Sequence, residues 1–269
     1  MNNIEGVLAT LSIKGLLSRT AKDEVLTEKL HAETGASEDA GQYRKSLFPK
    51  SACGDDNVYE QLIKARSLLS TTYYKRSLIW EKPFRLVTQQ AHAGFDEAMT
   101  DLISKVTTAH GAFIDGYTAL KELVRSSNAR GREFQDSDYP DVDKLSMSFR
   151  CEINYTAVPS ATQFASALFG PAIERVKARL NELNEQRIQA AVSDVWKQVL
   201  TPLENMIDKL SDPEARIFDS LVTNVQDISS RIPELNIQND SALAGAKAAL
   251  DSLVEGLDPE ALRRDTGLR

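Results

Sequence analysis

Between residues 89 and 126 the apolar side chains fall at Phe95, Met99, Leu102, Val106, Ala109, Phe113, Tyr117, Leu120 and Val124. Their spacing alternates between three and four residues. That keeps them on one side of an α-helix but scatters them over both sides of a strand, so this stretch is expected to be a rod with one apolar face. At the α-helical rise the rod measures about 50–55 Å. Gly94, Gly111 and Gly116 each weaken it by up to about 1 kcal/mol relative to alanine, so packing must hold it. Ser126, Ser127, Asn128 and Gly131 end the pattern.

A second rod opens at Gly170-Pro171, where proline at the first helical position loses no hydrogen bond. It runs through Ile173, Val176, Leu180, Leu183, Ile188, Val192, Val195, Val199, Leu203, Met206 and Leu210. The longer step after Leu183 slips the register, and Thr201-Pro202 predicts a kink or an end. Ser211 and Glu214 stand at capping-box spacing around Pro213, predicting that a helix begins there. A last helix is expected over 241–255, followed by a frayed tail, "GLDPEALRRDTGLR". Ahead of the first rod the expectations are a helix near 22–32, a loop at 34–41 and a helix over 56–69.

One segment has a different period. In "MSFRCEINYT", Met147, Phe149, Cys151, Ile153 and Tyr155 alternate with Ser148, Arg150, Glu152, Asn154 and Thr156, the pattern of a half-buried strand. Its best partner is "VLATLSIKG" at 7–15. The expected fold is mainly α: an elongated bundle of long antiparallel helices with a small β-sheet formed by an N-terminal strand and a mid-chain strand. The rods 89–126 and 171–210 are expected to bury one another. Two regions, 1–165 and 166–269, are expected to join in one continuous body. Aromatic residues at 7% and only 13 glycines suit such a helical chain better than a many-stranded sheet.

Templates for chemistry find little. His92 and His110 lie about 27 Å apart along a straight helix and cannot share a metal. His31 lacks neighbours at ligand spacing, so all three read as surface or groove histidines. Glu97 precedes Asp101 by one turn, a carboxylate pair that reads as a solvated face unless a partner helix adds ligands. Asp136, Asp138, Asp141 and Asp143 in "QDSDYPD" miss the glycine and glutamate of a calcium loop and are expected to turn or cap the chain. Neither a phosphate-cradling glycine loop nor a G-x-S-x-G elbow is present. Cys53 and Cys151 do not form a disulfide framework, and Cys151 reads as core. No catalytic, cofactor-binding or metal-binding set is expected. The start "MNNIEGVLATLSIKG" reads as no signal peptide, and no apolar run approaches the roughly 18 residues of a membrane span. A soluble protein of a reducing compartment is the expectation.

The segment "TTYYKRSLIWEKPFRL" at 71–86 concentrates rings and cations: Tyr73, Tyr74, Lys75, Arg76, Trp80, Lys82, Phe84 and Arg85, with Glu81 the only acid. Arg130 and Arg132 add cations beyond the first rod. Rings beside arginines are how single-stranded nucleic acid is held. Bulky rings also plug a corner between helices, with arginine and lysine stems lying over apolar surface. Residues 61–90 carry a net charge of +5, yet the whole chain is −7, which disfavours a general polyanion face. Packing at the corner is the leading reading; nucleic acid and an acidic protein remain the alternatives.

The ordered set "DAGQYRKSLFPK", "SLIWEKPFRLV", "EFQDSDYPDVDKLSMSFRCEINYTAVPSATQF" and "FDSLVTNVQDISSRIPELNIQND" resembles a family of uncharacterised proteins encoded by tailed bacteriophages, over nearly the whole chain. In that family the tryptophan usually follows proline and precedes a Gly-x-Arg-Leu-Leu-Pro run. Here Trp80 follows Ile79, and the run reads Pro83-Phe84-Arg85-Leu86-Val87-Thr88. The resemblance implies a phage or prophage origin and a location in the host bacterial cytoplasm, the virion or both. It brings no activity and no catalytic residue. The expected role is non-catalytic: a helical interaction or assembly protein that self-associates as a homo-oligomer or binds a phage or host protein, with no membrane contact. Association with single-stranded DNA is the alternative, and an enzyme site around Glu97 and Asp101 ranks last.

Overall fold

A computed structural model describes residues 5–35, 42–127, 134–160, 172–212, 214–237 and 239–264. Along the chain come β1 (Gly6–Lys14), β2 (Thr20–Lys22), α1 (Glu24–Thr34), β3 (Arg44–Ser46), α2 (Lys50–Cys53), α3 (Val58–Lys75), β4 (Leu78–Ile79) and β5 (Arg85–Thr88). Then follow α4 (Gln89–Ser126), a 3-10 turn (Asp136–Asp138), α5 (Val142–Ser148), β6 (Arg150–Ala157), α6 (Ala172–Ser211), α7 (Ser220–Leu235), α8 (Ser241–Val254) and α9 (Pro259–Arg264). The fold is mainly α with a small antiparallel sheet, as the periodicities predict.

Short polar side chains set the helix starts. Asp23 accepts from Leu26 N at 3.0 Å, Asn57 from Tyr59 N and Glu60 N at 3.1 Å each, and Asp240 from Ala242 N at 2.8 Å. Each satisfies a backbone donor that has no partner within its own helix. Thr88 does the same for α4, its hydroxyl accepting from Ala91 N at 3.1 Å. The aspartates of 136–143 turn and cap as expected: Asp141 accepts from Asp143 N at 2.9 Å at the head of α5.

The expected pairing of the N-terminal strand with the mid-chain strand is present, within a sheet of four strands ordered β4-β5-β1-β6. Val7 faces Val87 and Leu8 faces Leu86 across β1 and β5. A separate ribbon joins β2 to β3. Several boundaries differ from expectation. The mid-chain strand begins at Arg150, because Met147 and Ser148 close α5 after the Asp141 cap. Helix α3 runs on to Lys75 rather than stopping near 69. Helix α6 continues past Pro202 to Ser211, tolerating the missing hydrogen bond. No helix starts at Ser211: Asp212 accepts from Glu214 N at 2.9 Å in a loop, and α7 starts at Ser220. Part of the tail expected to fray, Pro259–Arg264, folds into α9 and buries Leu262, while residues 265–269 lie outside the described residues. Gly170, Pro171 and Pro213 lie outside the described residues, as do residues 36–41 of the expected loop.

The chain divides into two compact units, one of residues 1–10, 72–98 and 153–269, the other of 11–71 and 99–152. In the first, Ala191, Val195, Val199 and Met206 of α6 pack with Leu221, Val222, Val225, Ile228, Ile232 and Leu235 of α7 and with Leu243, Leu250 and Val254 of α8. Helix α7 packs against both α6 and α8. Leu8, Leu78 and Leu86 bring the sheet into this core, with Trp80 and Phe84 packed at its margin. The apolar face of the second rod is thus packed from Ala191 to Met206, while Val176 near its start is exposed.

In the second unit Phe48 is the hub. Its ring lies 4.9 Å from Tyr59, 6.0 Å from Phe113, 6.1 Å from Tyr117 and 5.7 Å from Tyr139. The phenol hydroxyls turn to backbone: Tyr59 donates to Leu17 O at 3.2 Å, Tyr117 to Pro140 O at 2.8 Å and Tyr139 to Leu47 O at 2.7 Å. Buried tyrosines keep their apolar bodies in the core this way without leaving a hydroxyl unpaired. The buried positions of α4 in this unit are Met99, Leu102, Val106, His110, Phe113, Tyr117 and Leu120. The stripe therefore passes through His110 where the sequence reading put Ala109, and the expectation of a surface or groove histidine is corrected.

Candidate functional site

Residues 72–86 form the last turn of α3, the short strand β4, a tight turn and β5. The turn closes through Phe84 N donating to Glu81 O at 2.7 Å, with a cis bond between Lys82 and Pro83. An α-helix leaves its last four carbonyls without intrahelical partners. Here each has one. Arg76 N reaches Thr72 O at 3.0 Å, and Ser77 Oγ reaches Tyr73 O at 2.5 Å. Arg85 donates to Tyr74 O at 3.2 Å, and Arg231 of α7 donates to Lys75 O at 2.6 Å. Two arginines therefore cap α3, where a positive charge also meets the negative end of the helix dipole.

The rings and cations divide by role. Tyr73 is buried and donates to Ala9 O at 2.9 Å, joining α3 to β1. Trp80 and Phe84 lie against the core of α6 and α7. Arg76 donates to Gly94 O at 2.9 Å and pairs with Glu234 at 3.1 Å. Arg85 also donates to Ser77 Oγ at 2.7 Å and Ser77 O at 2.6 Å, with Asp194 at 4.0 Å. Burial pulls its guanidinium below the ordinary value, opposed by Asp194. Lys75 faces Asp227 at 3.2 Å as a half-exposed pair, which contributes little. Outward-facing groups are fewer. Tyr74 is 58% exposed, with the Arg85 guanidinium 5.1 Å from its ring centre. Lys82 is exposed and makes no ion pair among the described residues. Arg130 and Arg132 lie outside the described residues.

The structure thus brings Tyr73, Arg76, Trp80, Phe84 and Arg85 together as packing and capping groups. Residues that the sequence reading missed complete the arrangement. Arg187 lies over the Trp80 ring at 5.5 Å and pairs with Glu81; Asp227, Arg231 and Glu234 receive α3 and Arg76. They lie more than a hundred residues away in sequence, and no linear motif links them to this segment.

Other polar groups are dispersed. Glu97 and Asp101 are exposed, and Asp101 pairs with Lys105 at 2.7 Å. Tyr155 Oη donates to Asp96 at 2.8 Å beside the His92 ring. Burial first, then Asp96, raises the Tyr155 phenol and keeps it a donor. Among the described residues no group of three His, Cys, Asp or Glu side chains is placed to hold a metal, and no helix is long and apolar enough to cross a membrane. A depression of about 450 Å³ is lined by Ala215, Arg216, Ile217, Phe218, Asp219 and Arg263, with the Asp219 carboxylate paired to the Arg263 guanidinium. No family model, curated protein or solved structure matches the chain.

Proposed function

We propose that this protein works by association rather than by chemistry, binding further copies of itself or a partner protein. The observation that carries this reading is on α6. One face of that helix, including Val195, Val199 and Met206, is buried against α7, yet Leu200 is 46% and Ile207 62% exposed. Leu200 and Ile207 stand about two helical turns apart, the heptad spacing at which helices pack on one another. The resemblance to phage proteins supports a setting in the bacterial cytoplasm or the virion.

Light scattering over a range of concentrations tests self-association. A mass above the monomer, returned to the monomer by Leu200→Glu with Ile207→Glu, supports it. A monomer at the highest concentration overturns it and leaves a different protein as partner, sought by pull-down from infected cells. A second reading has its own observation: Tyr74 presents an exposed ring beside the Arg85 guanidinium, and Lys82 is exposed on the same segment. Contact with single-stranded DNA predicts retardation at low salt that weakens in Tyr74→Ala and Lys82→Ala. Absence of retardation ends that reading. The capping roles of Arg85 and Arg76 and the net charge of −7 count against it.

A further inference from the structure

His110 is the one histidine in the buried stripe of α4, only 6% exposed, between Val106 and Phe113. Its ring lies flat on Phe149, with centroids 3.9 Å apart and planes 10° apart, and tilts toward Phe113 at 6.4 Å. Its Nε2 is shielded from solvent and meets no hydrogen-bonding partner among the described residues. The nearby phenols of Tyr59, Tyr117 and Tyr139 all donate to carbonyls. Phe149 joins α5 to β6, and that junction is held from another side as well. Gly15, at φ +74°, packs so closely that a Cβ there would lie 2.2 Å from Ser148 O.

We propose that His110 is an acid-sensitive latch: as a neutral ring it seats the α5–β6 junction on α4, and its protonation releases that contact and loosens the unit of residues 11–71 and 99–152. A neutral imidazole tolerates one unpaired acceptor. An imidazolium places a charge and a further N–H donor among rings, where nothing compensates them. The groups that surround it offer no relief. One turn away on α4 stand Val106, Thr107, Phe113 and Ile114, none charged. Beside Phe149, Arg150 is exposed and donates to Met147 O at 3.2 Å and Phe149 O at 2.6 Å. Glu152 shares the outward side of β6 with Arg150. Lys14, next to Gly15, and Lys144 on α5 are exposed cations. Tyr59 and Tyr117, pushed up to about 12 chiefly by burial, stay neutral.

Burial alone acts on the imidazole, and it lowers the pKa. A folded-state value below the unfolded one means that the unfolded chain binds the proton more readily. The stability that His110 contributes is therefore complete above the ordinary histidine value of about 6.5 and falls as the pH drops below it. The effect grows by about tenfold in the opening equilibrium for each unit of depression.

The test uses the full chain. Imidazole resonances are followed by NMR through the acid range, and amide hydrogen exchange is compared near pH 7.5 and near pH 5. The expected result is that His110 titrates below about 6.5 and that amides of residues 104–116 and 145–152 lose about tenfold or more additional protection in acid than those of α7. In His110→Phe, which retains a ring on Phe149, that extra loss disappears. A His110 resonance titrating at or above the ordinary value overturns the latch, as does an equal loss in the phenylalanine variant. Should that variant not fold, the wild-type resonance and the location of its exchange decide alone, and loss spread evenly over both units is then the overturning result.

Discussion

Lys45 and Asp138 meet at 2.7 Å with side chains only 10% and 15% exposed. Two charges withdrawn from water this far hold together largely because each compensates the other. Lys45→Met leaves the Asp138 carboxylate buried without its cation and should lower stability by about 3–5 kcal/mol in urea unfolding. Adding Asp138→Leu should restore most of that loss, since an apolar pair needs no compensation. Exposed pairs such as Lys64 with Asp56 should contribute far less, because water and salt screen them. This residue-scale chemistry was only partly legible in the sequence. His110 stands four residues after Val106 and three before Phe113, in phase with the stripe, but a pattern read in apolar residues alone steps past it to Ala109. The cations of 75–85 gave an ambiguous signal for a different reason. Whether an arginine greets a phosphate or a carbonyl depends on what the fold brings to it, and here Asp227, Arg231 and Glu234 arrive from far along the chain.

At the scale of elements, length governed what was legible. Helix α4 spans enough turns for its period to fix both ends, and the expected and observed bounds coincide. Strands β4 and β5, of two and four residues, are too short for any period, so a helix-to-helix corner was expected where a turn of sheet exists. Helix α9 is hidden in a polar tail because a single buried leucine anchors it. The glycines of α4 give a direct test of how tightly it is packed. A Cβ at Gly111 meets nothing within 4 Å, so Gly111→Ala should raise stability by up to about 1 kcal/mol through helix propensity alone. At Gly116 the Cβ would lie 2.9 Å from Val58 Cγ2, and Gly116→Ala should gain less or lose. Melting temperatures of the two variants provide the comparison, and equal gains would mean that α3 and α4 are less closely apposed at Val58.

For the whole molecule, periodicity predicted that the rods need cover but not which elements supply it. Helix α7, the next element along the chain, meets the second rod, whereas the rings that meet the first, Phe48, Tyr59 and Tyr139, come from segments on both sides of it that pattern reading does not link. The outward Leu200 and Ile207 remain the strongest argument for association, with the light-scattering mass as the deciding measurement. Strand order has a further consequence, for biosynthesis. β1 sits between β5 and β6, so one of its flanks has no partner until residue 88 has been translated and the other none until residue 157. Until then the nascent chain displays an open strand edge, a natural client for holding chaperones and the point at which ribosome-stalled fragments of this protein should aggregate.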